Sequence, residues 1–235
     1  MRGTSAVLSG RTASPTLVTA AAVTLGVLVV LALTYVVYAL WPRWPDVPAA
    51  NAPNLPIVVG NVLFQVPSAA IRQKMQQRAG RQDRIDLAYL WPNLEPSAPT
   101  RANTMDPALA AAPRIFLSLA SAPADTTPAE RLRMIYPRYL ERNMWPGPVG
   151  LTMIAFRADS AYRGEDLFYD RQAPDRFVAR CTRDSGLAAG SCLYERLVGS
   201  VNITVRFSRA WLDGWPAVLT AIDTIIDRMQ PAAHY

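Results

Sequence analysis

Histidine is almost absent from this chain of 235 residues, which contains only His234, the penultimate residue. A Ser-His-Asp or Cys-His mechanism requires an oriented imidazole, and catalytic zinc sites usually use several histidines. A lone histidine at this position supplies neither arrangement. The sequence therefore disfavours both classes of enzyme and predicts no metal site and no cofactor.

Charge is missing from one long stretch near the N-terminus. No charged residue lies between Arg11 and Arg43, and the 25 residues from Thr16 to Leu40 are nearly all apolar. About 20 such residues cross the hydrocarbon core of a bilayer as a helix, so residues 16–40 are predicted to form a transmembrane helix. A cleaved signal peptide is the alternative, because Val37-Tyr38-Ala39 loosely fits a small-x-small cleavage site.

The flanking segments give this anchor an orientation. Residues 1–15 carry Arg2 and Arg11 but no acid, so the positive-inside rule predicts a cytoplasmic tail and places the rest of the chain outside the cytoplasm. Residues 41–56 contain five prolines and are predicted to form a semi-rigid linker, with packing along the domain surface as the alternative. Residues 57–235 fit one domain. A second proline-rich stretch within it, residues 92–113, is predicted to be a surface loop.

Alternation of apolar and polar residues predicts five strands in this domain. Strands clustered together and helices at irregular intervals predict an α+β fold with a mainly antiparallel sheet. The first predicted strand carries Val58, Val62, Phe64 and Val66 on one face, and the second carries Ile85, Leu87, Tyr89 and Trp91 on one face. The third carries Ile115, Leu117 and Leu119, and residues 149–156 form the fourth. The last carries Val201, Ile203, Val205 and Phe207 on one face.

Helical spacing occurs in three segments. Residues 68–79 and 128–143 are predicted to be helices, with a kink or break at Pro137 in the second. The strongest pattern spans Trp211 to Met229 and predicts an amphipathic C-terminal helix, with Pro216 in its first turn, that lies across the sheet.

Cysteine occurs only twice, at Cys181 and Cys192. Two strand-like runs flank a ten-residue link, which predicts a hairpin with the two sulfurs opposite each other. Outside the cytoplasm such a pair oxidises, so a structural disulfide is predicted. A redox-active pair is the alternative, although that chemistry usually has closer spacing.

Two clusters of charge are candidates for function. Arg72, Lys74, Arg78, Arg81 and Arg84 form a possible site for an anionic partner, either another envelope protein or an anionic lipid surface, and a solvated basic face is the alternative. Nucleic acid is excluded by compartment.

The second cluster consists of Glu165, Asp166 and Asp170 beside aromatic residues, as in sugar-binding clefts. A carboxylate-based glycan hydrolase needs two such groups at a defined separation. Ordinary surface ion pairing with nearby arginines is the alternative.

Three motifs, VPSAAIR, IDLAYLWPNL and VRFSRAWLDGW, together resemble those of uncharacterised single-pass membrane-anchored proteins of proteobacteria. The resemblance covers residues 57–94 and 201–229. It implies a protein of the bacterial inner membrane with a periplasmic domain, and it implies no catalytic residue. The leading hypothesis is therefore a non-enzymatic, membrane-anchored periplasmic domain that binds or positions another envelope component, with the glycan hydrolase as the alternative.

Overall fold

The computed structural model describes residues 15–40, 53–97, 111–122, 126–186 and 188–230. The chain forms two compact units, Met1–Pro45 and Asp46–Tyr235, and each is described by itself. Residues 1–14, most of the predicted linker, the middle of the predicted loop at 98–110 and His234 lie outside the described residues.

In the described part of the first unit the chain forms helix α1, Pro15–Leu40. The side chains described in this helix are those of residues 23–38, all of which are exposed. Among all residues that the structure describes, no helix is long and apolar enough to cross a membrane.

The second unit is an α+β structure built on a large antiparallel sheet, as the sequence predicts. Its eight strands are arranged in the order β4-β5-β11-β10-β9-β8-β7-β6, and every neighbouring pair is antiparallel. The strands are β4 Arg84–Leu90, β5 Arg114–Ser121, β6 Leu140–Pro146, β7 Leu151–Phe156, β8 Glu165–Asp170, β9 Val178–Thr182, β10 Ser191–Val198 and β11 Val201–Ser208.

A smaller sheet precedes the large one and corrects the prediction of a single first strand. It consists of β1 Asn54–Val59, β2 Val62–Pro67 and the short β3 Gly80–Gln82. β1 and β2 form a hairpin that turns at Gly60, whose φ of +58° is in the left-handed region that glycine adopts without strain. The turn resets the alternation, so that Ile57 and Val59, rather than Val58, are buried with Phe64 and Val66.

The C-terminal helix α3, Trp215–Met229, covers the inner face of the large sheet, as predicted. A 3-10 segment at Arg209–Gly214 leads into it from β11. Val218, Ile222 and Ile225 are at most 1% exposed and belong to one core with the inward side chains of both sheets. Burial of each such side chain contributes about 1.5–3 kcal/mol, which explains why this stripe is not left in water.

A second, smaller core lies on the opposite face of the large sheet, under helix α2 at Pro128–Met134. A capping box between Thr127 and Glu130 begins this helix. The predicted helix over 128–143 is correct only in its first half. A 3-10 turn at Tyr136–Arg138 contains Pro137, and the chain then enters β6 as a strand.

The predicted helix over 68–79 is wrong. The segment contains two short 3-10 turns, Ser68–Ala70 and Lys74–Gln76, separated by extended backbone. Ile71 is buried and forms an isolated bridge to Leu87 in β4, whereas Met75, expected on the same helical stripe, is 82% exposed. Pairing with the strand therefore overrides the helical spacing in this segment.

Candidate binding surface

The three candidate carboxylates lie on strand β8, which the sequence reading missed. Asp166 is 4% exposed and binds two guanidinium groups, those of Arg183 at 2.8 Å and Arg209 at 2.7 Å. Glu165 binds Arg180 at 3.0 Å. The ion pairs of Asp166 stabilise a buried charge that would otherwise be costly.

Asp170 has a structural role as well. Its carboxylate accepts hydrogen bonds from the backbone N–H groups of Gln172 and Ala173, and it lies 3.3 Å from the guanidinium of Arg176. These bonds hold the turn after β8. Each candidate carboxylate thus has an arginine partner.

The spacing along β8 does not suit a glycan hydrolase. Glu165 and Asp166 are consecutive in a strand and therefore point to opposite faces of the sheet. Asp166 and Asp170 share a face but are four residues apart, about 13 Å along the strand, beyond the roughly 5–9.5 Å that paired glycosidase carboxylates need. The geometry supports ion pairing and gives no support to the hydrolase.

The disulfide is present between Cys181 in β9 and Cys192 in β10. The two residues are directly opposite each other in the antiparallel pair, and both are fully buried. The covalent link therefore joins two central strands of the sheet next to the large core. Its burial fits a structural bond rather than an exposed redox centre.

The five predicted basic residues lie together on one segment, residues 72–84, which we call the basic loop. All five side chains belong to exposed residues, and Met75 lies exposed among them. The only acid of the segment is Asp83. The segment therefore presents a concentrated positive surface that also exposes one large apolar side chain.

Asp86, on the adjacent strand β4, holds this loop in place. It is 5% exposed and accepts hydrogen bonds from the side-chain amides of Gln73 and Gln76, at 3.2 and 3.1 Å. Its own backbone N–H donates to the Gln76 side-chain oxygen at 2.9 Å. Gln82 donates from its side chain to the backbone carbonyls of Gln76 and Arg78. The loop is thus built on an internal network of amides.

The electrostatics of Asp86 follow from these contacts. Burial raises the pKa of its carboxyl, but hydrogen bonds from Arg84, Gln76 and Ser118 and the positive charge of Arg84 lower it by more. The resulting pKa of Asp86 lies below its ordinary value. Asp86 is therefore an anion that the loop itself neutralises.

Individual bases of the loop differ in what they contact. The guanidinium of Arg72 lies over the ring of Phe116 in β5, 4.7 Å from its centroid. Arg81 donates to the Gly60 carbonyl at 3.0 Å, and Arg84 pairs with Asp86 at 2.8 Å. Arg81 and Arg84 therefore help to hold the loop, in addition to contributing charge.

Sequence reasoning found the five bases but missed the residues that organise them. The sequence carries one signal for these residues. A glutamine-rich run, QKMQQRAGRQ, lies shortly before Asp86, which is on the solvent-facing side of a predicted strand. Asp86 alternates with the buried Ile85 and Leu87, so its side chain points away from the core toward the loop.

An exposed apolar patch lies at the opposite edge of the large sheet, on and near β6. Met144, Trp145 and Val149 are each more than half exposed. A register irregularity between Leu140 and Met144 and a proline at the end of the strand, Pro146, interrupt this edge. Bulges and prolines are devices that discourage pairing with another strand.

Open clefts also occur on the described surface. One, of about 430 Å³, lies beside the start of α2 and mixes both signs of charge, with Arg176, Glu195 and Asp223 among its lining residues. Another, of about 370 Å³, is lined by Met153, Phe168 and Arg209 among others. In the described part of the chain no group of three or more potential metal ligands occurs.

No protein-family model and no curated protein sequence matches this chain. Among solved structures it resembles the immunity protein Smlt3025 of the Stenotrophomonas maltophilia type IV secretion system, with a TM-score of 0.53 and 17% sequence identity. The match covers 75% of this chain and 92% of that protein. The Neisseria meningitidis iron-regulated outer membrane lipoprotein FrpD also matches, with a TM-score of 0.38 and 10% identity over 74% of this chain and 93% of that one. The second unit of this chain therefore shares the fold of the Smlt3025 immunity protein.

Proposed function

We propose that this protein is a non-enzymatic, membrane-anchored domain of the bacterial periplasm that binds an acidic envelope protein through the basic loop. The observation that carries the proposal is the form of that loop. Its bases are exposed, while its shape is fixed from beneath by Asp86 and the glutamine amides. A positive surface held in a fixed shape favours recognition of a complementary negative one.

Met75 strengthens this interpretation. A methionine that is 82% exposed among the bases of this segment offers an adaptable apolar contact. Methionine and arginine are both enriched at protein interfaces relative to the rest of the surface.

Anchoring in the inner membrane is supported by the sequence. Residues 16–40 are an uncharged, largely apolar stretch of 25 residues in the sequence, residues 1–15 carry only positive charge, and residues 41–56 provide a proline-rich spacer. Residues 57–235 are then the periplasmic domain. The bond between Cys181 and Cys192 is compatible with that oxidising compartment.

The fold shared with Smlt3025 is compatible with such a role. That protein is an immunity protein of a type IV secretion system. A non-enzymatic role at the cell envelope agrees with the arginine-paired state of the carboxylates on β8.

Position-specific photocrosslinking in native membranes tests the proposal. A photoreactive amino acid in place of Met75 should give a discrete adduct in which mass spectrometry identifies peptides of a second protein. Met134, 58% exposed at the end of α2 and outside the basic loop, is the matched control position and should give none. No adduct at Met75, equal adducts at both positions, or adducts with lipid alone would refute a protein partner at the loop.

A further inference from the structure

The surface next to the basic loop is the outer face of β5 and β11. Ile115, Leu117, Val205 and Phe207 of these strands are buried in the large core. The residues that alternate with them point to the other face of the sheet. They are Phe116 and Ser118 of β5 and Thr204 and Arg206 of β11.

The register arranges these residues in cross-strand rows. Phe116 is opposite Arg206, and Ser118 is opposite Thr204. Phe116, Ser118 and Thr204 are partly exposed, and Arg206 is exposed. We call these four residues the sheet floor.

One wall of this floor is the basic loop. Ser118 is opposite Asp86 of β4, and the amides of Gln73 and Gln76 bind the Asp86 carboxylate. The Arg72 guanidinium reaches over Phe116. The loop therefore lies on the outer face of β4 and overhangs the edge of the floor.

The other wall is helix α2. Glu195 of β10 is opposite Thr204, and it is paired with Arg131 of α2. The floor thus lies between β4, which carries the loop, and β10, to which α2 is joined by the pair of Arg131 and Glu195. The backbones of β4 and β10 are three strand spacings apart, about 14 Å. We call the floor together with its two walls the trough.

The charge of this trough is positive. Its two acids, Asp86 and Glu195, are each paired with an arginine of the walls. Arg206 rises from the floor, and no ion pair to it occurs among the described residues. Arg72, which lies over the Phe116 ring, and Arg206, which is opposite Phe116 in the neighbouring strand, therefore both present positive charge at the floor.

From this geometry we infer that the partner of the basic loop inserts an acidic protein segment into the trough, where it contacts Phe116 and pairs with Arg206. This inference rests on the proposed function and extends its surface from the loop to the sheet. A flat bilayer would contact the walls before the floor, so the trough favours a protein segment.

The test uses the full chain in detergent and a fluorescent deca-glutamate peptide as the probe. Arg206→Glu should weaken binding of this peptide about three- to tenfold at low salt, the scale expected when one exposed ion pair is replaced by a repulsive pair. Arg171→Glu, at an exposed arginine after β8, makes the same change of charge away from the trough and should leave binding within twofold. If Arg206→Glu does not fold, Arg206→Gln should still weaken binding about two- to threefold.

Further variants and a second probe separate this inference from the proposed function. A combined reversal of Arg72, Lys74 and Arg78 that abolishes binding, while Arg206→Glu has no effect, would overturn the trough and leave the loop as the site. Equal losses for Arg206→Glu and Arg171→Glu would reduce the effect to net charge and also overturn the inference. Binding to mixed micelles of phosphatidylglycerol in the same detergent that is tighter than binding to the peptide and depends on Arg206 would replace the protein segment with a lipid surface.

Discussion

The guanidinium of Arg84 donates two hydrogen bonds, of 3.0 and 2.8 Å, to one oxygen of the Asp86 carboxylate. The other carboxylate oxygen accepts from Gln73 and Gln76. One buried acid thus joins β4 to both ends of the basic loop. The shape of the positive surface depends on this carboxylate.

Replacement of Asp86 should therefore loosen the loop. Asp86→Ala leaves the side-chain donors of Arg84, Gln73, Gln76 and Ser118 without their acceptor. A loss of about 1–3 kcal/mol in the free energy of unfolding is expected. Hydrogen exchange over residues 72–84 should accelerate. Asp83→Ala, at the exposed acid of the same segment, is the control and should change stability by less than about 0.5 kcal/mol. Equal effects of the two substitutions would contradict the proposed scaffold.

The pH dependence of stability has a definite sign at this site. The pKa of Asp86 is lower in the folded protein than its ordinary value, so the unfolded chain takes up the proton first as the pH falls. The contribution of Asp86 is complete above about pH 4 and is lost as the pH falls through the folded-state pKa. Urea unfolding of the full chain in detergent should show a difference in the free energy of unfolding between wild type and Asp86→Asn that shrinks below about pH 4. A difference that stays constant down to about pH 2 would contradict this assignment.

The disulfide should contribute about 2–3 kcal/mol, because it closes a loop with a sequence separation of 11 residues. Cys181→Ser, Cys192→Ser and the double variant should all lower the free energy of unfolding by the same amount, because each of them breaks the same single disulfide bond. Thiol labelling of the unreduced, denatured wild type should find no free cysteine. Two labels per chain, or additive losses in the double variant, would disagree with a single structural bond.

The C-terminal helix provides a test of the large core. Ile222 is fully buried, so Ile222→Ala should lower the free energy of unfolding by about 2–5 kcal/mol. Ala217→Ser, on the exposed face of the same helix, should change it by less than about 0.5 kcal/mol. An Ile222→Ala protein that is as stable as the Ala217→Ser protein would show that this stripe is not core.

Reporter fusions test the proposed topology. Alkaline phosphatase fused after Tyr235 should be active, because residues after the apolar stretch are expected in the periplasm. Green fluorescent protein exported to the same position should stay dark, and the chain should resist carbonate extraction from membranes. The reverse pattern of reporter activity would refute the proposed orientation.

Elements with an uninterrupted period could be predicted from the sequence. Val201 to Phe207 alternates without a break, and Trp215 to Met229 repeats at helical spacing, so β11 and α3 follow directly. The cysteine hairpin follows from its flanking runs. In these segments local pattern and tertiary burial agree.

Elements that depend on distant partners could not be predicted. The segment after Pro67 has helical spacing, yet Ile71 pairs with Leu87 and the glutamines bind Asp86, which are contacts that no local period contains. In β8 the acid Asp166 is buried because Arg209, 43 residues later, binds it. The bases of the candidate site were visible as a charge cluster, but the sheet floor beside them depends on strand order.

Charge reversal combined with crosslinking tests the central claim, that the basic loop binds an acidic envelope protein, most directly. The measurement is the yield of the adduct with a second protein, identified by mass spectrometry, that forms from position 75 in native membranes. The chain with Arg72, Lys74 and Arg78 all changed to Glu is compared with a control in which the exposed Arg138, Arg163 and Arg171 are changed in the same way. Both variants shift the net charge equally. The account predicts that the loop variant loses the adduct at least tenfold while the control retains it, and an equal yield from the two variants would contradict it.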